Sequence, residues 1–221
     1  MKIYEPSAFD SIRRIVSEKT VSLLGSAPGN YFADDFPIEY PLVCANAAAL
    51  GIRRDRERTP EITIINTALA SSPNYGKPTR ELLNRITTKL LVIVESGTPI
   101  DRATKIFEPI ARNVTETITL DERCKFLEVF LEKPLTGRGG GQHVPSTGFF
   151  TILVLLACGA KKVKPTGLSL SDGHSYLDKV YARDHIQRDC DVLNFIKTKG
   201  LPVEFSPTLI SSAILISQDR F

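Results

Sequence analysis

The stretch that decides the fold is HVPSTGFFTILVLLACGAKKVKPTG, which covers His143–Gly167. A turn of small residues runs into an apolar segment, Thr147–Cys158, that predicts a buried helix with Gly159 as its C-terminal stop. A short strand is predicted next, at Lys162–Thr166. The rest of the chain repeats this alternation of strands and helices, which is typical of βαβ units and predicts an α/β fold with a mostly parallel sheet.

The spacing of apolar residues predicts the other elements. Strands are predicted at Val21–Leu24, Leu42–Ala45, Ile62–Ile65, Leu90–Val94 and Pro202–Phe205. Helices are predicted at Thr79–Thr88, Asp101–Arg112, Asp121–Leu131 and Asp184–Thr198, with Asp101 and Asp121 as N-caps.

Composition bounds the class of protein. The 221 residues suit one α/β domain over residues 1–221, and 42% hydrophobic with 24% charged residues indicates a soluble globular protein. A net charge of +3 tolerates anionic ligands but is far from a nucleic-acid-binding signature, so no nucleic-acid partner is expected. The cysteines form no CxxC pair, which favours reduced thiols over a disulfide framework or a metal site.

The N-terminus and the longest apolar run indicate where in the cell the protein is expected. The N-terminus, MKIYEPSAFD, is charged and broken by Pro6, so it does not have the pattern of a signal peptide. The longest apolar run, Phe149–Cys158, is half the length of the roughly 20 residues that a membrane-spanning helix needs. We expect a cytoplasmic protein that works at a membrane only peripherally or through a partner.

Small or amide residues stand where three early strands end. The first strand leads into Gly25-Ser26-Ala27, and the next two end at Asn46 and Asn66. Ligands of open parallel sheets sit beyond the carboxyl ends of the strands, where an amide can bond a ribose, a base or a phosphate. The alternative is that Asn simply suits the tight turn after a strand.

The turn Ser146-Thr147-Gly148 is a second candidate site. If the helix begins at Thr147, Ser146 is its N-cap, and the N–H groups of the first turn point at whatever lies in front of them. With the helix dipole they would form a site for a carboxylate or phosphate. The alternative is an ordinary capped core helix.

A third candidate segment is Gly167–Ile196, which holds His174, His185, Tyr176 and Tyr181. His185 falls at the start of a predicted helix, near the ligand edge of the sheet. A neutral imidazole there could act as a general base near pH 7. The alternative is that His185 is a surface residue at a helix N-terminus.

Together, these segments and their order resemble the sialyltransferases, above all the bacterial ones of glycosyltransferase family 42 and more distantly those of family 29. The resemblance covers Thr20–Ala47 and Gly141–Phe205. Ser26 is a departure, because the family usually has Asn there, and Val144 stands where a basic residue often precedes the turn. The resembling segments are LGSAP (Leu24–Pro28), VCAN (Val43–Asn46), PSTGFF (Pro145–Phe150) with GAKKV and TG after it (Gly159–Gly167), and HIQRD (His185–Asp189), with Asn66 as the third-strand Asn.

The resemblance implies a single Rossmann-like domain, a variant of the GT-A type, that requires no metal and no other cofactor. The donor would be a CMP-activated acidic sugar, either sialic acid or a related nonulosonic acid such as Kdo. The acceptor would be a glycan or a lipid-linked saccharide. Peripheral membrane association and a homo-oligomer stay open.

The resemblance also implies roles for single residues. His185 would be the general base, while Tyr176 and Tyr181 would donate to the departing phosphate. Asp172 would be the nucleophile if the reaction retained configuration instead of inverting it. The residues expected to bind the donor are Gly25, Ser26, Ala27, Asn46, Asn66, Ser146, Thr147, Gly148, Gly167, Ser169 and Asp172.

Three other motifs compete with this interpretation. Asp189-Cys190-Asp191 has the DxD pattern of a metal site, but inside a helix its two carboxylates would point about 200° apart. The run Gly137–Gly141 lacks the pattern of a phosphate loop, which favours a flexible lid or linker at residues 137–142. The Arg-rich segment Ile52–Pro60 is either a solvated face or a surface that steers an anionic donor or acceptor.

Two alternative functions stay open at this point. One is a nucleotide-binding relative without transferase activity. The other is a Rossmann enzyme that acts on a different nucleotide.

Overall fold

A computed structural model describes residues 5–27, 31–32, 36–53, 58–70, 81, 83–135, 144–170 and 185–205. Its helices are α1 (Ala8–Val16), α2 (Ile100–Phe107), α3 (Leu120–Phe130), α4 (Thr147–Ala157) and α5 (Ile186–Thr198). Its strands are β1 (Thr20–Leu24), β2 (Tyr31–Phe32), β3 (Leu42–Ala45), β4 (Ile52–Arg53), β5 (Ile62–Asn66), β6 (Leu90–Val94), β7 (Val114–Ile118) and β8 (Lys162–Thr166).

Six of these strands form one parallel sheet in the order β7-β6-β5-β3-β1-β8. The chain runs outward from β1 to β7 and then returns to add β8 on the other side of β1. The strand order therefore reverses between β1 and β8, and ligands of open α/β sheets bind at such a switch point. The short strands β2 and β4 pair separately. The predicted α/β fold with a mostly parallel sheet is confirmed.

Helices cover both faces of the sheet. The larger core packs α1, α3, α4 and α5 against side chains of β1, β3, β5 and β6, and α2 packs on the opposite face. In α4 every residue from Thr147 to Leu155 is buried, because other helices as well as the sheet surround it. The rings of Phe9 and Phe150 both pack edge-on against Phe126, with centroids 5.0 and 6.0 Å away, which ties α1, α3 and α4 together.

Several predicted boundaries are wrong. Helix α2 begins after Pro99 and ends at Phe107, so neither the Asp101 cap nor the extension to residue 112 is present. Residues 84–88 are not helical. The predicted last strand is a single bridge between Val203 and Val163. Helix α1 and strand β7 are elements that were not predicted from the sequence.

The N-cap of α3 is Thr119 and not Asp121. The Thr119 hydroxyl accepts the N–H of Glu122 at 3.2 Å, and the Glu122 carboxylate accepts the N–H of Thr119 at 2.8 Å. This capping box contributes about 1 kcal/mol and fixes where α3 begins after β7.

None of the helices in the described ranges has both the length and the apolar character needed to cross a membrane. The predicted Gly-rich loop at residues 137–142 lies outside the described residues.

Candidate active site

The loops that follow β1 and β8 lie directly against each other at the switch point. Gly25 donates its N–H to the Thr166 carbonyl, and Ala27 donates to the Gly167 carbonyl, both at 2.8 Å. A Cβ on Gly25 would lie 2.3 Å from the Gly167 oxygen and 2.4 Å from Cδ2 of Leu168. Only glycine permits this contact, so the two loops pack closely here, with the Leu168 side chain against Gly25.

The N-terminus of α4 meets the same loops. A Cβ on Gly148 would lie 2.6 Å from Cδ2 of Leu168. The Ser146 side chain makes no capping hydrogen bond, and no group in the described ranges accepts the N–H of Thr147, Gly148 or Phe149. Three open N–H groups at the positive end of a helix dipole favour an anion in front of them.

His185 lies beside this turn. It is the N-cap residue of α5, and its Nδ1 atom is 2.9 Å from the Val144 carbonyl oxygen. Because a carbonyl only accepts hydrogen bonds, Nδ1 carries the proton in the neutral ring, and Nε2 carries the lone pair. The structure thus brings together the predicted base, His185, and the predicted anion-binding turn at Ser146, which lie far apart in the sequence.

Two buried charged side chains hold the middle of the turn. The Nη2 atom of Arg123, from α3, donates to the Pro145 carbonyl at 2.6 Å. The Oδ1 atom of Asp189, from α5, accepts the Ser146 N–H at 2.7 Å. Burial lowers the pKa of Arg123 to about 10, and the charge of Asp189 is among the effects that oppose this shift. Arg123 therefore stays charged at neutral pH.

Neither role is predicted by the sequence pattern. Arg123 lies in a charged, amphipathic segment, where an arginine is usually exposed. Asp189 belongs to the DxD pattern and ends the HIQRD segment, and neither pattern predicts a contact with the turn. Asp189 points inward to the turn, whereas Asp191 pairs with Lys133 at 3.1 Å and Arg188 at 3.4 Å. Within the described ranges, no three His, Cys, Asp or Glu side chains gather as a metal site requires.

Asn46 and Asn66 lie side by side at the ends of β3 and β5. Asn46 has φ 54°, and its Oδ1 atom accepts the Asn66 N–H at 3.1 Å. The Oδ1 atom of Asn66 accepts the N–H of Ala68 at 2.7 Å. Because both contacts come from N–H donors, the amide orientations are fixed, and the Nδ2 groups donate to nothing in the described part of the chain. Both residues shape turns, and both keep a donor for a ligand.

The remaining predicted residues divide into two groups. Ser26 and Ser169 are nearly buried, in the loops after β1 and β8 that form the switch point. Tyr176, Tyr181, Asp172 and His174 lie outside the described residues, so the structure does not place them.

Comparison with solved structures places this arrangement among known folds. The sialyltransferase CstII from Campylobacter jejuni, in complex with the substrate analogue cytidine-5′-monophosphate, matches with a TM-score of 0.50 and 13% identity over 86% of this chain and 80% of that one. The monofunctional α-2,3-sialyltransferase Cst-I from the same organism matches with a TM-score of 0.50 and 14% identity, over 85% and 75% of the two chains.

The chain shares the fold of these sialyltransferases. The resemblance noted in the sequence is thus confirmed at the level of the fold. No protein-family model matches the sequence, and no curated protein matches it.

Proposed function

We propose that the chain is a glycosyltransferase that moves an acidic sugar from a CMP donor to a hydroxyl of a glycan or lipid-linked saccharide. The proposal takes residues 1–221 as one domain and assigns the reaction to the switch point between β1 and β8. The observation that carries it is the hydrogen bond between His185 and Val144, which sets a histidine of defined tautomer beside an open helix N-terminus. The shared fold of the Campylobacter sialyltransferases supports it.

In this proposal His185 is the general base. A CMP leaving group departs from a tertiary anomeric carbon through an oxocarbenium-like transition state, so the protein needs no strong nucleophile. It must hold the nucleotide, stabilise charge and take a proton from the acceptor hydroxyl. The Nε2 lone pair of His185 accepts that proton, while the bond from Nδ1 to Val144 keeps the ring oriented. Inversion at the anomeric carbon follows from direct attack by the acceptor.

The nucleotide is assigned to the ends of β1, β3 and β5. The Nδ2 groups of Asn46 and Asn66 donate to acceptor atoms of the ribose or the base, and the backbone of Gly25–Ala27 lets the nucleotide approach closely. The acidic group of the sugar is assigned to the N-terminus of α4, to its open N–H groups and to the N-cap residue Ser146. Tyr176 and Tyr181 remain the proposed donors to the departing phosphate, and no metal is required.

A thermal-shift screen with CMP, UDP, GDP and NAD tests the proposal. CMP should raise the melting temperature, since a ligand at a hundredfold excess over its dissociation constant stabilises by about 2.7 kcal/mol. UDP and GDP should not, and EDTA should leave the CMP shift unchanged. A preference for another nucleotide would favour a different Rossmann enzyme. CMP binding with no transfer to any saccharide acceptor would favour a nucleotide-binding relative.

A further inference from the structure

Arg123 is a buried charge with an incomplete set of partners. Its side chain is 1% exposed and lies over the ring of Phe150, with the guanidinium carbon 4.7 Å from the ring centroid. Its Nη2 atom donates to Pro145, but Nε and Nη1 have no hydrogen-bond partner among the described residues. Burying an ion is unfavourable unless other groups stabilise its charge, so the position of Arg123 needs a physical explanation.

Asp189 supplies part of that explanation. It is also 1% exposed, and it binds the N–H of Ser146, the residue that follows the Pro145 carbonyl held by Arg123. Its negative charge raises the pKa of Arg123, against the larger effect of burial. Two opposite charges from α3 and α5 therefore act on adjacent main-chain groups of one turn.

The position of Asp189 creates a difficulty for anion binding. Its carboxylate contacts the N-cap residue of α4, directly before the open N–H groups of Thr147 and Gly148. In a low-dielectric interior, a carboxylate at this point repels an anionic ligand. Arg123 carries a buried positive charge and donates to the Pro145 carbonyl of the same turn, so it offsets this repulsion.

We propose that Arg123 and Asp189 form a charge clamp: together they hold the Pro145–Ser146 turn, and the charge of Arg123 cancels that of Asp189 so that the α4 N-terminus accepts an anionic group. Both act as positioning residues, because both are buried and act through the turn. The inference rests on the proposed function only for the identity of the anion, which is a sugar carboxylate or a nucleotide phosphate.

Four proteins test the clamp: wild type, Arg123→Gln, Asp189→Asn and the double variant. Affinity is measured by calorimetry for CMP-sialic acid, which carries a phosphate and a carboxylate, for CMP, and for uncharged cytidine. Arg123→Gln should weaken binding of CMP-sialic acid at least ~10-fold, because the turn loses one buried positive charge while the Asp189 carboxylate stays. The double variant should return to within about threefold of wild type, since charge balance is restored. Cytidine binding should stay unchanged throughout.

The matched control is Arg112→Gln. Arg112 also donates to main-chain carbonyls, including that of Ile110 at 2.6 Å, but it precedes β7 at the opposite edge of the sheet. This variant should bind both charged ligands as wild type does. Weakened CMP binding in Arg123→Gln assigns the phosphate to α4, and weakening confined to CMP-sialic acid assigns the carboxylate.

Several outcomes would overturn the clamp. Unchanged affinity in Arg123→Gln would do so, as would a double variant no better than the single one. If Arg123→Gln does not fold, the Asp189→Asn variant is decisive, because Asn keeps an acceptor for the Ser146 N–H. The affinity of Asp189→Asn for CMP-sialic acid should equal or exceed that of wild type, and a lower affinity would contradict the clamp.

If wild type binds no CMP compound, the proposed function fails. In that case hydrogen exchange at the Ser146 amide tests whether the clamp holds the turn. Exchange should be faster in Arg123→Gln than in wild type, and an unchanged rate would overturn the clamp.

Discussion

The Nδ1 atom of His185 lies 2.9 Å from the Val144 carbonyl oxygen. This contact holds the N-cap residue of α5 against the segment that precedes α4. The turn is also held from α3 through Arg123 and from within α5 through Asp189. Three separate contacts therefore fix the position of a histidine relative to the N–H donors at the start of α4. This fixed geometry is what a general base requires, because proton transfer depends on distances within hydrogen-bond range.

Gly25→Ala should destabilise the protein by disrupting the contact between the loops after β1 and β8. The added Cβ would meet the Gly167 oxygen at 2.3 Å, and a backbone atom of the adjoining strand end cannot move away cheaply. We expect the free energy of unfolding to fall by about 3 kcal/mol or more, measured by urea denaturation. Gly200→Ala is the control: nothing lies within 4 Å, and its φ of +60° should cost only about 1 kcal/mol. Equal losses in the two variants would contradict the close contact of the two loops.

Asn46→Gly should weaken CMP binding and leave the fold intact. Glycine keeps the left-handed backbone at φ 54° but removes the Nδ2 donor. The affinity for CMP should fall roughly tenfold, as expected for one lost hydrogen bond, and calorimetry measures it. The control is Asn113→Ala, which alters an exposed Asn just before β7, away from the site. Wild-type affinity in Asn46→Gly would mean that Asn46 only shapes its turn.

The four thiols should differ in reactivity in the folded protein. Burial raises the pKa of Cys158 to about 12 and raises that of Cys44 as well, so neither forms the nucleophilic thiolate near pH 8. Cys124 and Cys190 are half-buried. Alkylation with iodoacetamide, followed by mass spectrometry, should modify Cys124 and Cys190 first and reach the other two only after unfolding. Early modification of Cys44 would contradict its buried position in β3.

Much of the fold could be predicted because the central strands are short apolar runs, such as LVCA in β3 and LLVIV in β6. The predicted strands at Leu42–Ala45, Leu90–Val94 and Lys162–Thr166 have the observed bounds. By contrast, β7 is an edge strand with the sequence VTETI, whose polar side chains weaken the apolar signal. Helix α1 was missed although Phe9, Ile12 and Val16 have helical spacing and are buried.

The candidate site was only partly predictable, for a different reason. Asn46, Asn66 and the Ser146 turn could be named because strand ends and helix starts leave a local pattern. Arg123 could not, because its burial depends on how α3 packs against Phe150 and the turn, and nothing in its own segment encodes that contact. Long-range contacts that place a charge in the core leave no periodic signal in a sequence.

The general-base role of His185 is the central claim, and the pH dependence of transfer tests it most directly. Transfer from CMP-sialic acid to a saccharide acceptor should rise with pH as the imidazole becomes neutral. His185→Ala should lower the rate by roughly 10² to 10⁴ and abolish that limb of the profile, while CMP affinity stays at the wild-type value. His174→Ala is the control and should keep the wild-type profile. A His185→Ala protein that transfers sugar at the wild-type rate with the same pH dependence would contradict the account.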